Sequence, residues 1–374
     1  MRALAHLVLV ALLMGALLGA ACKTYGDDPE PPAPAGSPGV DPRLVIAVDR
    51  RVELMSIVAR LAEYEEYAEP ASTPYARAVD AHFATWRAHP VVAQMRGLRQ
   101  SHGLGYNAVV GFGIYLDEAL QPLRPLRAPL PGLDPRWNSV DLDAFLFELQ
   151  DFATVSGYGA FFAAQAPYFA KVEARVRGAL DGYRIVDWFE AMFGARAATF
   201  HVAPGLLTGN HAYGQFAVDT AGNEHIFQVL YLPPGRADGL PHPDRATIYT
   251  LIHEFAHSYV NPALDARQDV YVGALQPLFD RYKVVMEKQK YGAINTVANE
   301  SVVRALVVLY ARDRGARGAE ARRVAGELRA AFFWTPQVVD AVDAARAKHG
   351  GALSADDLAA AARDAFAAYH AAHP

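Results

Sequence analysis

Between Ile248 and Val260 the chain runs almost without a polar break, yet His253, Glu254 and His257 stand inside that run. Ile248, Leu251, Ile252, Phe255, Ala256, Tyr259 and Val260 fall on most faces of a 3.6-residue period, which predicts a helix buried on most sides. Asp244 is the expected N-cap, and Asn261-Pro262 the expected stop, because a residue before proline resists helical geometry. A buried helix must find partners for three polar groups, since each left alone is costly. Histidines four apart share one face, with Cβ atoms about 5–6 Å apart, so both imidazoles can reach one tetrahedral metal ion. Glu254 lies roughly 100° around the helix from His253, where a carboxylate can take the proton of a water polarised by that metal. The bland alternative is a pair of core histidines with Glu254 bound to a distant arginine.

Zinc, the expected ion, needs a third protein ligand and an open fourth position for catalysis. Asn295 to Tyr310 reads as a second, largely apolar helix, capped by Asn295, with Glu300 near its start. Glu300 is the candidate ligand; its alternative is an ion pair with Arg304 one turn on. Asp265 and Asp269, expected in a loop after Pro262, and Asp280 and Glu287, expected on a solvated helical face, are the competitors. No third histidine follows at the short metzincin spacing.

His253-Glu-x-x-His257 followed by the helical pair Asn299-Glu300 resembles the gluzincin group of zinc metallopeptidases. A closer resemblance is to an uncharacterised, domain-of-unknown-function family of secreted bacterial proteins. It is carried by the stretches 52–67, 251–262 and 299–305. Together these imply a peptidase of unknown substrate in which His253, His257 and Glu300 bind Zn2+ and Glu254 is the catalytic base. Many gluzincins place an aspartate four residues after the ligand glutamate, where it supports a zinc histidine. This chain has Arg304 there, so that support must come from elsewhere.

Gly214–Asp219, a turn at 220–223 and Glu224–Tyr231 read as a β-hairpin. It is either an edge to which a peptide substrate adds as a strand, or plain packing. Donors for a developing oxyanion are sought among His211, Tyr213, His225, Tyr231 and Tyr291, with no choice among them.

Arg2 followed by an uncharged apolar stretch to Ala21 reads as a secretory signal peptide over 1–22, and Cys22, the single cysteine, resembles a lipoprotein cleavage box. Ordinary cleavage nearby, or retention as an anchor helix, is the alternative. Six prolines and three glycines over 23–42 predict an extended linker. Loss of Arg2 with the signal leaves 34 basic against 40 acidic residues, which argues against nucleic acid as a partner. The expected contacts are a peptide or protein substrate and a membrane reached only through a lipid at Cys22, with the protein exported.

The remaining 330 or so residues suggest one large or two closely packed domains. The expected fold class is α+β, a mostly helical zincin-like domain with a small mixed sheet. Residues 43–262 would form an N-terminal subdomain that includes the active-site helix, and 263–374 a helical subdomain supplying the third ligand. Strands are expected at 44–48 and 198–202 besides the hairpin, and helices at 53–66, 75–88, 142–152, 159–180, 186–193, 319–332, 336–348 and from Ser354 onward. A secreted zinc-binding or scaffold protein without turnover is the competing function.

Overall fold

The structure, a computed structural model, describes residues 39–69, 73–196, 198–233, 239–289, 291–315, 317–350 and 352–374. The expected signal peptide, Cys22 and most of the expected linker lie outside the described residues. Among those described, fourteen α-helices accompany one four-stranded mixed sheet, an α+β architecture as expected. None of these helices is long and apolar enough to cross a membrane.

The chain divides into two compact units. One comprises Pro42–Leu180 with Ala197–Ile248, the other Asp181–Arg196 with Tyr249–Pro374. The division falls between Ile248 and Tyr249, so His253 groups with the residues after it.

The first unit carries the sheet. Strands β1 (Leu44–Ile46), β2 (Ala198–Gly205), β3 (Tyr213–Val218) and β4 (Glu224–Tyr231) lie in the order β1-β2-β4-β3, with β3 alone antiparallel. The expected hairpin is β3-β4. Asp219 makes its turn: the carboxylate accepts from the Asn223 N–H and the Asn223 amide, both at 2.8 Å, and Gly222 supplies a φ of +86°. β3 alternates buried and half-buried residues as a strand at the end of a sheet does. Its Phe216 carbonyl abuts Gly132, where an added Cβ would come within 2.5 Å, so that part of the strand is already backed by chain.

Seven helices share this unit with the sheet: α1 (Arg50–Leu61), α2 (Pro74–Phe83), α3 (Pro90–His102), α4 (Asn107–Gly113), α5 (Leu142–Val155), α6 (Tyr158–Ala164) and α7 (Ala166–Ala179), of which α1, α4 and α7 pack on its strands. α1 starts three residues earlier than expected because Asp49 caps it, accepting from the N–H groups of Arg51 and Val52, and it ends before Glu63, whose φ is +64°. The single helix expected over 159–180 is two. Pro167 has no N–H to continue the hydrogen-bond ladder, so α7 begins afresh with that proline in its first turn. Phe83, Phe152, Tyr158 and Phe161 form one aromatic cluster of the core, and Phe112, Trp137 and Phe145 another.

The second unit is helical: α8 (Ile185–Phe193), α9 (Arg245–Asp265), α10 (Gln268–Lys288), α11 (Ile294–Asp313), α12 (Arg317–Arg329), α13 (Thr335–His349) and α14 (Ala355–Ala372). Every residue of α11 from Val297 to Ala311 is buried, with α10, α12 and α13 against it. Trp334, wholly buried, donates from its indole to Ser301 Oγ of α11 at 2.7 Å and meets Phe366 and Tyr369 of α14 edge-on. α14 opens with a reciprocal capping box between Ser354 and Asp357.

Candidate metal centre

α9 begins as expected. Asp244 Oδ1 accepts from the Thr247 N–H at 2.8 Å, and its backbone carbonyl takes the Ile248 N–H. The expected stop at Asn261 is not found, for α9 continues through Pro262 to Asp265. A proline inside a helix removes the hydrogen bond to the carbonyl four residues back. Here that carbonyl is Ser258 O, and Arg196 Nη1 donates to it at 2.7 Å. A distant side chain thus replaces the missing N–H and lets the helix run one more turn.

That extra turn matters for the site. His257 Nδ1 lies 3.1 Å from Asn261 Oδ1, and since an amide oxygen only accepts, Nδ1 carries a proton and Nε2 is the nitrogen left to exchange its proton for a cation on the other side. His253 Nε2 is 3.1 Å from His257 Nε2. Both ring nitrogens therefore point at one place.

Glu300 comes to the same place from α11. Its Oε1 is 3.4 Å from His257 Nε2 and its Oε2 is 3.7 Å from His253 Nε2. His253, His257 and Glu300 offer ligand atoms that all lie within 4.8 Å of one another. His253, Glu254 and Glu300 are buried, and His257 is partly so. The ligand and the ion-pair readings of Glu300 prove compatible, because Arg304 Nε also donates to Glu300 Oε2 at 3.1 Å. Arg304 continues to Glu327 Oε2 of α12 at 2.5 Å and to Tyr291 Oη at 2.9 Å, with its guanidinium over the Phe332 ring, 4.4 Å from the centroid.

Burial pushes the His253 imidazole down to about 3, helped by the neighbouring positive charges of His257 and Arg304 and opposed by Glu300. Burial also works against a charged His257, but the Glu300 carboxylate, with Glu254 and Asn261, outweighs it and lifts His257 to about 9. Glu300 itself is held far below the usual carboxylate range, its own burial being overcome by the two histidines and Arg304. Three buried carboxylates, Glu254, Glu300 and Glu327, and two buried guanidiniums, Arg304 and Arg323, belong to this unit, which leaves one negative charge when both imidazoles are neutral. A cation held between the two imidazoles and Glu300 would offset that charge.

The competing carboxylates go elsewhere. Asp265 is the last residue of α9 and Asp269 lies in the first turn of α10, so neither sits in the expected loop; the chain turns between the two helices in only two residues. Asp265 Oδ1 accepts from Asn299 Nδ2 at 3.2 Å, Asp280 accepts from Gln276, and Glu287 pairs with Lys283 on an exposed face. Asn295 does not cap α11; the N-cap is Ala293, and Asn295 reaches toward Asp265 instead. Of the oxyanion candidates, Tyr291 belongs to this unit, where its oxygen is engaged by Arg304, and His211, Tyr213, His225 and Tyr231 belong to the sheet-bearing unit.

A second cluster, His89, Glu148 and Asp151, also lies within ligand spacing. Its imidazole is already committed at both nitrogens: Nδ1 accepts from the Val91 N–H as the cap of α3, so the proton is on Nε2, 3.1 Å from Asp151 Oδ2. That histidine has no lone pair left for a metal.

Asn261, Glu327 and the joint role of Arg304 escaped the sequence reading. Asn261 had a signal, its place four residues after His257 on one helix face, masked by the proline beside it. Glu327, 23 residues from Arg304 on another helix, had none. A family model described as Domain of unknown function (DUF4932) matches residues 134–347, a stretch that includes α9 and α11. No curated protein and no solved structure matches the chain.

Proposed function

The chain belongs to the DUF4932 family, and taking the site as the guide to what it does, we propose that it is a gluzincin-like zinc hydrolase that cleaves peptide bonds outside the cytoplasm. One observation carries the reading: His253 Nε2, His257 Nε2 and the Glu300 carboxylate converge within ligand spacing in the buried interior of the unit, with Glu254 on the same helix. Two imidazoles and one carboxylate are a donor set that zinc takes in catalytic sites. When bound, zinc supplies a Lewis acid that polarises a carbonyl and acidifies a water.

The rest is done by the chain. His257 presents Nε2 because Asn261 holds its Nδ1 proton, and His253 stays neutral because burial disfavours its charged form. Glu254, one residue after the first ligand and 5% exposed, is the group to take a proton from water and return it to the departing amine. Burial favours the transfer by strengthening every charge interaction there.

Export is supported by the sequence of residues 1–22, with Cys22 as the point of lipid attachment and 23–42 as the spacer. The test is metal analysis of the purified protein with digestion of a peptide library by the wild type and Glu254→Gln. The proposal expects about one zinc per chain in both and cleavage only by the wild type. Zinc without cleavage in either would favour the binding or scaffold reading; a metal-free wild type after zinc dialysis would remove the hydrolase.

A further inference from the structure

We infer that Arg304 is the positioning residue of the centre: it ties Glu300 Oε2, so that Oε1 is the oxygen offered to the cation, and Glu327 holds Arg304 in that role. The inference rests on the metal reading above and concerns how Glu300 is presented.

An i, i+4 ion pair on an exposed helix contributes little. This one differs in that all its members are buried and the guanidinium is engaged on each of its nitrogens. Nε goes to Glu300, Nη1 to Glu327 and Nη2 to Tyr291, while the Phe332 ring covers its face. A planar fork with five donors can serve three acceptors at once; a lysine ammonium, a point charge on a flexible stem, cannot hold that arrangement. Arg304 is therefore fixed from three directions, and it fixes one oxygen of Glu300.

The two oxygens of Glu300 are not equivalent as a result. Oε2 receives the Arg304 hydrogen bond and lies 3.7 Å from His253 Nε2, while Oε1, which Arg304 leaves alone, lies closer in, 3.4 Å from His257 Nε2. A carboxylate tied at one oxygen by a guanidinium is a one-oxygen donor and a weaker one. Two imidazoles and a single oxygen leave a tetrahedral ion one position free, which hydrolysis requires. The same sequence position that in many gluzincins supports a histidine here supports the glutamate, and Asn261 takes over the histidine.

The test uses zinc alone as the probe, on the wild type, Arg304→Lys and the double variant Arg304→Gln/Glu327→Gln. The double variant removes one buried charge of each sign and so avoids stranding Glu327. Affinity is read by competition with a chromophoric chelator, coordination by zinc X-ray absorption, and folding by near-ultraviolet circular dichroism. The wild type is expected to hold zinc through two nitrogens and one Glu300 oxygen. The double variant should bind roughly 10–100-fold more weakly, with a second carboxylate oxygen entering the coordination sphere, and Arg304→Lys should share the altered spectrum despite its retained charge. A folded variant of either kind with wild-type affinity and spectrum overturns the inference and leaves the metal reading standing. A wild type that binds no zinc removes both.

Discussion

Asn261 accepts the Nδ1 proton of His257 across one helical turn, 3.1 Å away, and so decides which nitrogen of that ring faces Glu300. The relationship is local, since both residues lie on α9, and it depends on the helix surviving Pro262. Asn261→Ala is expected to lower zinc affinity by about 10–100-fold, while Asn261→Asp, which keeps an acceptor in place, retains most of it. Chelator competition on the two variants measures this. Equal affinities for Asn261→Ala and the wild type would show that the ring needs no such support.

Zinc binding is expected to release a proton near neutral pH. His257 is lifted to about 9, so at pH 7 its ring is protonated before a cation displaces the second proton. Below about 9 the affinity should rise tenfold per pH unit from this group, and above it the dependence should flatten. Calorimetric titration in two buffers of different ionisation enthalpy counts the proton, and heats that do not depend on the buffer would contradict the prediction.

Glu53 gives the sheet-bearing unit a pH dependence of its own. It is wholly buried on α1, accepts from the Leu206 N–H at 3.1 Å, and burial pushes its carboxyl up to about 8. Between an unfolded value near 4.5 and that folded value, the native state holds more protons than the unfolded one. The contribution to stability is therefore complete below about 4.5 and is lost as pH climbs through 8, at up to about 1.4 kcal/mol per unit. Urea titrations at pH 5 and 8 should find Glu53→Gln gaining on the wild type at the higher pH. A constant difference between them would refute the assignment.

Arg196 and Pro262 should be coupled. Arg196→Ala leaves the Ser258 carbonyl without its replacement donor and is expected to destabilise the protein by about 1–3 kcal/mol. In a Pro262→Ala background the restored N–H serves that carbonyl, so the same substitution should cost much less. A double-mutant cycle from thermal or urea unfolding reads the coupling; additive effects would mean that the arginine does not stand in for the amide.

What could be read in the sequence is what local spacing determines. The imidazole pair, the Asp244 cap and the hairpin with its Asp219 turn follow from residues within a few positions of one another, and Glu300 was found because an apolar helix with a carboxylate needs a cation. α3 and α4 went unforeseen. α3 is capped by an unusual acceptor, the Nδ1 of His89, and the short α4 has Tyr106 as its N-cap with no side-chain cap at all. The run of α9 past Pro262 could not be foreseen either, since the group that repairs the helix lies more than sixty residues away. Arg304 was visible as a departure from a pattern, but its partner Glu327 is chosen by the packing of α12 on α11.

The helix that carries Glu300 has no face of its own toward solvent from Val297 to Ala311, and part of its wall is α13, against which α14 packs in turn. A chain without α13 and α14 therefore lacks part of that wall. Chains cut before Ala355 are expected to keep both histidines and yet hold no zinc on dialysis, the distant helix deciding whether the ligands stay together; a stoichiometric ion in such a truncated chain would contradict this dependence.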